Sequence, residues 1–251
     1  MIALDLGSPG SGRGIGMNEA KWERWAAATG IAFVVLLVAS AFIVPAAPPK
    51  ANDSIAKITS YYAKHRKALL SAGYLGGVAT IFFLWFLGSL RSVLRAAEGG
   101  AGRLSAVAFG AGLVTTAVAL GSGAASNAIT LKVIETPGSA AVIRALFDVS
   151  SLALVFIWFP VATLAAATGT VAWRTGVLPK WYAQASLLAA IVFLVGGSGV
   201  YLDSGPLATG GVFPFIVFII FALWALVTSI LLVQRAGKVA VAGPMAPAPQ
   251  M

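Results

Sequence analysis

A serine between glycines is the feature of this sequence that comes nearest to a catalytic motif. The stretch Gly196-Gly197-Ser198-Gly199 lies within an apolar segment. A serine hydroxyl becomes a nucleophile when a nearby base removes its proton, and histidine is the usual base. The only histidine is His65, which lies at the start of a different apolar segment. Glycine and serine also have small side chains, which let a neighbouring helix pack closely. We interpret the motif in that way.

Two aspartates could in principle form a catalytic pair. Asp203 begins an Asp-Ser-Gly sequence, and Asp148 lies directly before the apolar segment that starts at residue 149. Two carboxylates in contact can share a proton and activate water. Because Asp148 comes four residues after Arg144, we expect an ion pair along one helix face instead. Asp203 follows an apolar segment, and we expect it to cap the end of that helix.

The residue types that bind transition metals or carry redox chemistry are too scarce in this chain for most such sites. The chain has no cysteine, one histidine and four methionines. The methionines all lie near the two ends of the chain, at Met1, Met17, Met245 and Met251. Thiolate, multi-histidine and thioether sites therefore cannot be built within one chain. The sequence predicts no catalytic residues, no metal and no cofactor.

Apolar segments dominate the chain and determine its class. Hydrophobic residues make up 59% of it, and the mean hydropathy is +0.92. A helix needs about 20 apolar residues to cross the ~30 Å hydrocarbon core of a bilayer. Six uncharged segments of that length are present, at about 25–46, 68–90, 104–131, 149–173, 181–202 and 211–234. Backbone in lipid must satisfy its own hydrogen bonds, so these segments are predicted to be helices.

The predicted fold class is therefore all-α, a polytopic transmembrane bundle of six spans plus a short outer amphipathic helix. Residues 21–236 form the membrane domain, residues 1–20 a flexible tail and residues 237–251 a disordered tail. The net charge of +9 comes from 17 basic residues spread through the loops, without a dense basic arm. This distribution favours an anionic membrane surface over nucleic acid as the partner.

The distribution of basic residues predicts the orientation. Six spans place both termini on one side of the membrane. That side carries ten basic residues, Arg13, Lys21, Arg24, Arg91, Arg95, Arg103, Arg174, Lys180, Arg235 and Lys238. The other side carries seven, Lys50, Lys57, Lys64, Arg66, Lys67, Lys132 and Arg144. The positive-inside rule then predicts a multi-pass protein of the bacterial cytoplasmic (inner) membrane with both termini in the cytoplasm.

The first outer loop contains the predicted amphipathic helix, residues 54–66. Asp53 or Ser54 is a suitable N-cap. Ile55, Ile58 and Tyr62 recur at i, i+3 and i+7 and form one apolar face. We expect this face to lie at the level of the lipid headgroups.

Polar residues near the outer ends of the spans could line an outward-facing pocket. The candidates are His65, Arg66, Tyr74, Arg144, Asp148, Tyr201 and Asp203. The alternative is that these groups and nearby serines form hydrogen bonds between helices or are solvated at helix ends.

Two packing signals lie inside the predicted spans. The motifs Gly73-x3-Gly77 and Gly121-x3-Ala125 have the small-residue spacing that lets helices approach closely. Pro160, in the middle of the fourth span, removes one helix hydrogen bond and predicts a kink.

Two stretches carry a family resemblance. Residues 61–91 and 173–181 (WRTGVLPKW) are similar to a group of bacterial, largely actinobacterial, six-helix membrane proteins of unknown function. The matching residues are Tyr62, His65 and Arg66 in the helix before span 2, and Arg174, Gly176, Pro179 and Trp181 in the cytoplasmic turn. The resemblance implies the same fold and orientation and no particular reaction.

No charged residue lies in the middle of a predicted span, which disfavours ion-coupled transport. We therefore predict a non-catalytic membrane protein that acts by binding lipid or a protein partner. The alternative is a carrier of a small apolar molecule, and an intramembrane hydrolase is less favoured. The predicted partners are the bilayer, a bound lipid or apolar small molecule, and a membrane-protein partner or second copy.

Overall fold

The structure, a computed structural model, describes residues 12–44, 47–131, 135–201 and 211–242, and these ranges are helical without strands. Their helices are α1 Gly12–Phe42, α2 Ile55–Lys64, α3 Arg66–Glu98, α4 Arg103–Leu131, α5 Ala140–Phe156, α6 Trp158–Thr175, α7 Lys180–Gly197 and α8 Val212–Ala242. A 3₁₀ turn, Ser198–Tyr201, follows α7.

Five helical segments are long and apolar enough to cross a bilayer. They are α3, α4, α5 with α6 as one segment, α7 and the Val212–Ala236 part of α8. In α1 the apolar part, Ala28–Phe42, is shorter than the others. The predicted all-helical class is thus confirmed for the described residues, and the five long apolar segments indicate a multi-pass membrane protein.

The helices form a bundle in which chain neighbours are mostly spatial neighbours. α1 packs on α3 and α8, α4 packs on α3, α5 and α6, and α7 packs on α6. The turns at 99–102 and 176–179 both lie at the same end of the bundle, because α4 and the α5–α6 segment run in opposite directions. We call this end the two-turn face. The opposite end carries α2.

Aromatic rings fill the centre of the bundle around Phe221 of α8. Its ring centroid lies 6.1 Å from Phe33, 6.1 Å from Phe83, 6.4 Å from Trp158, 6.3 Å from Phe193 and 6.4 Å from Trp224. Several of these contacts are edge-to-face, an arrangement that aromatic quadrupoles favour. One side chain thereby connects α1, α3, α6, α7 and α8.

Glycines permit close packing at selected points only. A Cβ atom on Gly112 of α4 would lie 2.5 Å from both methyl carbons of Leu87 on α3, and one on Gly73 of α3 would meet the Asn127 amide of α4. A Cβ atom on Gly77 or Gly121 would meet nothing within 4 Å. The small-residue motifs therefore contribute to packing within the bundle through Gly73 and not through Gly77 or Gly121.

Near Pro160, for which the sequence predicts a kink, the helix is interrupted between α5 and α6. Ile157 separates the two helices, and its φ and ψ of −58° and −27° keep the chain running onward. Proline has no N–H to donate to the carbonyl four residues earlier, which is that of Phe156. The helix is interrupted directly after this residue.

Replacing Phe221 by alanine removes the ring that connects five helices. A buried Phe→Ala change costs about 3–5 kcal/mol of folding stability, and we expect the Phe221→Ala protein to lose several degrees of thermal stability in detergent. Phe215→Ala is the matched control on the same helix, because Phe215 is 51% exposed. Equal losses in both variants would show that the rings around Phe221 are not the main core.

Gly112→Ala and Gly110→Ala form a second matched pair, two residues apart on α4. The first change places a methyl group against Leu87, which is 1% exposed, whereas Gly110 has open space around it. Overpacking costs about 1–3 kcal/mol, while alanine in a helix gains up to about 1 kcal/mol over glycine. We therefore expect a lower melting temperature for Gly112→Ala and an unchanged or higher one for Gly110→Ala. The reverse order would contradict the packing described.

Candidate functional site

The end of the bundle opposite the two-turn face carries a folded layer, which we call the cap: residues 47–66 and 135–148. Ile58 and Tyr62 of α2 are 0% and 5% exposed and cluster with Ile129, Ile143 and Phe147 of α4 and α5. Ile55 packs against the edge of the same cluster.

The expectation that the apolar face of α2 lies among lipid headgroups is therefore wrong for Ile58 and Tyr62, while Ile55 is half-buried. The physical reason is that α5 begins at Ala140, well before the predicted start of the fourth span at residue 149. These additional turns supply Ile143 and Phe147, so α2 buries its apolar face on protein.

The start of α2 is fixed by two neighbouring residues with different roles. Ser54 is the N-cap, and its hydroxyl accepts a hydrogen bond from the Lys57 N–H at 3.4 Å. The Asp53 carboxylate accepts from the Lys50 N–H at 2.8 Å and pairs with Lys57 Nζ at 2.8 Å. The hydrogen bond from the Lys57 side chain holds the pKa of Asp53 below its usual value.

Arg144 connects α5 to the loop before α2. Its Nε donates to Asp148 Oδ2 at 2.9 Å. Its Nη1 donates to the Asp53 carbonyl at 3.3 Å and its Nη2 to the Ala51 carbonyl at 2.5 Å. One guanidinium thus joins segments more than ninety residues apart, and its planar, multi-donor geometry suits this role better than lysine would.

Arg66 makes a second connection, between the start of α3 and the end of α4. Its Nη1 pairs with Glu135 Oε1 at 2.5 Å, and its Nη2 donates to the Leu131 carbonyl at 3.1 Å. Leu131 is the last residue of α4, so the guanidinium satisfies a carbonyl that the helix leaves free. Exposed ion pairs contribute little by themselves, and the bonds to backbone carbonyls give both arginines their positioning role.

Hydroxyl groups connect the helices beneath α2. The hydroxyls of Tyr62 and Ser126 lie 3.2 Å apart, and Ser122 donates to the Ser150 carbonyl at 2.9 Å. Burial raises the pKa of Tyr62, so this phenol stays neutral at physiological pH. These polar groups form hydrogen bonds within the bundle, as the interhelical alternative requires.

Of the seven residues of the predicted pocket, the structure describes six. Among those described, the contacts join Arg144 with Asp148, whereas Arg66 pairs with Glu135. The His65 ring lies 5.0 Å from that of Tyr61. Tyr74 and Tyr201 are 74% and 87% exposed, and Asp203 lies outside the described residues.

Sequence reasoning missed Glu135, Ala51 and Asp53 as partners of the two arginines. Their separations from Arg66 and Arg144 are 69, 93 and 91 residues. The acidic type of Glu135 was a signal, but nothing in the local sequence assigns its partner. The bonds from Arg144 go to the backbone carbonyls of Ala51 and Asp53, a group that every residue has.

The glycine-flanked serine has a structural role. Cβ atoms on Gly196 and Gly197 would lie 3.4 Å from the Trp158 indole and 2.8 Å from the Phe159 ring, respectively. The Ser198 hydroxyl donates to the Val195 carbonyl of its own helix at 2.7 Å. The glycines thus make room for the aromatic residues that begin α6.

The predicted cytoplasmic turn is part of the two-turn face. Gly176 has a φ of +67°, the left-handed conformation that ends α6, and its N–H donates to the Ala172 carbonyl at 3.0 Å. Pro179 is the N-cap of α7. Arg174 and Trp181 are exposed on either side of the turn.

Comparison with known proteins finds no match among family models, curated proteins or solved structures. Within the described residues, no group of three or more His, Asp or Glu side chains is arranged to hold a metal ion. We therefore infer function from the cap and the two-turn face.

Replacing Arg144 with glutamine removes both bonds to the 51–53 loop. We expect faster hydrogen–deuterium exchange in residues 50–64, measured by mass spectrometry on the purified protein, with unchanged exchange in α6. Lys64→Gln is the control, since it removes one positive charge from the cap without a described bond. Equal protection in the wild type and in Arg144→Gln would contradict the role given to Arg144.

Proposed function

We propose that this chain is a six-span protein of the bacterial cytoplasmic membrane, with both termini in the cytoplasm, that acts without catalysis by binding a protein partner through its cap. Two features of the cap support this proposal. Contacts with the bundle hold the cap in place, and it carries an exposed lysine without an ion pair in the described part of the chain.

The outward face of the cap is basic, and this observation carries the proposal. The described acids of the cap, Asp53, Glu135 and Asp148, each form an ion pair. Lys64 is exposed and has no ion pair within the described part of the chain. Lys67, which directly follows the cap on α3, is also exposed and has no ion pair within the described part of the chain. Complementary charge at the edge of an interface steers association and selects partners, so we propose an acidic surface on the partner.

The cap is suited to binding because contacts with the underlying helices fix its conformation. α2 buries Ile58 and Tyr62, and Arg144 fixes the preceding loop. A surface that is already ordered loses less conformational entropy when it binds. A helix that contacted only lipid headgroups would not hold its lysines in a fixed arrangement.

The six-span arrangement is supported by the uncharged part of α1. This part, residues 25–42, has 18 residues, which at about 1.5 Å per residue correspond to about 27 Å, close to the ~30 Å hydrocarbon core. Phe33 and Val34 of α1 are buried in the bundle core, so the helix lies alongside the other spans. The excess of basic residues on the side of the tails supports cytoplasmic termini.

The resemblance to actinobacterial six-helix membrane proteins belongs to the same proposal. The turn that carries it begins with a glycine C-cap at Gly176 and ends with Pro179 at the start of α7. These are the roles that a Gly-x2-Pro turn between two spans requires.

Structural roles of the reactive groups favour binding over hydrolysis or transport. The Ser198 hydroxyl donates a hydrogen bond to the Val195 carbonyl, and the Asp148 carboxylate forms an ion pair with Arg144. The rings around Phe221 occupy the centre of the bundle, where a carrier would need a path.

The test uses the full chain in its own membrane. Because the chain lacks cysteine, Ser60→Cys on the cap and Ala101→Cys on the two-turn face provide single labelling sites. We expect a membrane-impermeant maleimide to label Ser60→Cys in intact cells and Ala101→Cys only after permeabilisation. The opposite pattern would reverse the orientation.

Partner binding is tested with a photo-crosslinking amino acid at position 60, and at Leu188, which is 64% exposed on α7, as control. We expect a discrete protein adduct from position 60 that falls at least fivefold in the Lys64→Glu/Lys67→Glu variant. Arg103→Glu on the two-turn face should leave the adduct unchanged. Absence of the adduct, or its persistence in the double variant, would refute the cap as the binding surface.

A further inference from the structure

We infer that the α6–α7 turn of the two-turn face binds the headgroup of an acidic phospholipid. This inference is independent of the partner proposed for the cap. It rests on a fixed turn, on paired aromatic and cationic side chains at its two ends, and on the charge around it.

The turn is held in place from three directions. Gly176 ends α6 in the left-handed conformation. Leu178 is 3% exposed and packs with Tyr182 and Ala172. From α8, Arg235 Nη1 donates to the Val177 carbonyl at 2.7 Å, which ties the turn to a third helix.

The residues on either side of this turn are exposed and repeat one pattern. Trp173 and Arg174 lie in the last turn of α6, which ends at Thr175, and Lys180 and Trp181 begin α7. The two tryptophans are 53% and 56% exposed, and Arg174 and Lys180 are exposed without an ion pair in the described part of the chain. Tryptophan favours the headgroup level of a membrane, so both indoles place the two cations at the depth of lipid phosphates.

Within the described part of the chain, no acidic side chain forms an ion pair with the cations around the turn. The Glu98 carboxylate, at the neighbouring α3–α4 turn, accepts hydrogen bonds from the N–H groups of Leu104 and Ser105 at 2.8 and 2.9 Å. Arg95 and Arg103 beside it are exposed. By sequence this side carries the ten basic residues named above and four acids, Asp5, Glu19, Glu23 and Glu98.

A lipid headgroup is the anion that fits this arrangement. Because the helices cross the bilayer, their ends adjoin a layer of headgroups, and cations near that layer attract acidic lipids. Arginine binds phosphate with two parallel hydrogen bonds, and lysine adds a mobile point charge. A soluble anion would make no use of the two exposed indoles.

The test is native mass spectrometry of the full-length protein in detergent, titrated with phosphatidylglycerol or with phosphatidylcholine. We expect discrete phosphatidylglycerol adducts whose apparent affinity falls at least fivefold in Arg174→Gln/Lys180→Gln, with weak phosphatidylcholine binding unchanged. The matched control, Lys64→Gln/Lys67→Gln, removes the same charge from the opposite end and should retain wild-type affinity. Equal losses in both double variants, or no loss in either, would overturn the site.

Two further measurements keep the result interpretable. Thermal unfolding of each variant without added lipid should match the wild type, because none of the four side chains makes a described stabilising bond. If Arg174→Gln/Lys180→Gln does not fold, Arg174→Lys/Lys180→Gln replaces it and should lower the affinity by a smaller factor. Unchanged affinity in this folded variant would overturn the inference. Displacement of the lipid by millimolar inorganic phosphate would assign the site to a soluble anion and refute the lipid.

Discussion

Contacts of the Phe221 ring with rings from α1, α3, α6 and α7 hold the bundle together at its centre. This matters because lipid tails are as apolar as the side chains they would replace, so burial alone does not drive helices together in a membrane. Shape and ring geometry must supply the attraction instead. α8, which carries Phe221, packs closely along α1 and also contacts α7 through side chains such as Trp224. The aromatic centre therefore decides how the first and last helices are positioned against the middle of the chain.

Polar groups add direction to this packing. Between α7 and α8, the Trp224 indole donates to the Ser186 hydroxyl at 3.0 Å, and the hydroxyls of Tyr182 and Thr228 lie 2.6 Å apart. Such bonds contribute about 1 kcal/mol or less each in membrane proteins, and they specify one rotational setting of each helix. Towards the other end, Ser122 performs the same task between α4 and α5. The bundle is thus fixed near both ends, and this allows the cap and the α6–α7 turn to be rigid.

The sequence predicts the helices well because hydropathy and charge act locally. α4 was expected at 104–131 and runs from Arg103 to Leu131. α3 extends beyond its apolar segment to Glu98, because the carboxylate of that residue satisfies the first N–H groups of α4. The Arg144–Asp148 pair was predictable from its i, i+4 spacing. The bonds from Arg144 to the Ala51 and Asp53 carbonyls were not, since hydropathy carries no information on which distant loop a guanidinium reaches.

The misassigned surface of α2 shows why pattern alone cannot identify a working face. Apolar residues at i, i+3 and i+7 appear in a helix whether its apolar face rests on lipid or on protein. The deciding fact lies in α5, whose early start provides Ile143 and Phe147 as a protein surface for Ile58 and Tyr62. Once that face is buried, only the lysine-bearing side of α2 remains to meet a partner. At the opposite end the exposed residues include tryptophan as well as cations, and this difference in composition is the physical reason to assign a protein to the cap and a lipid to the turn.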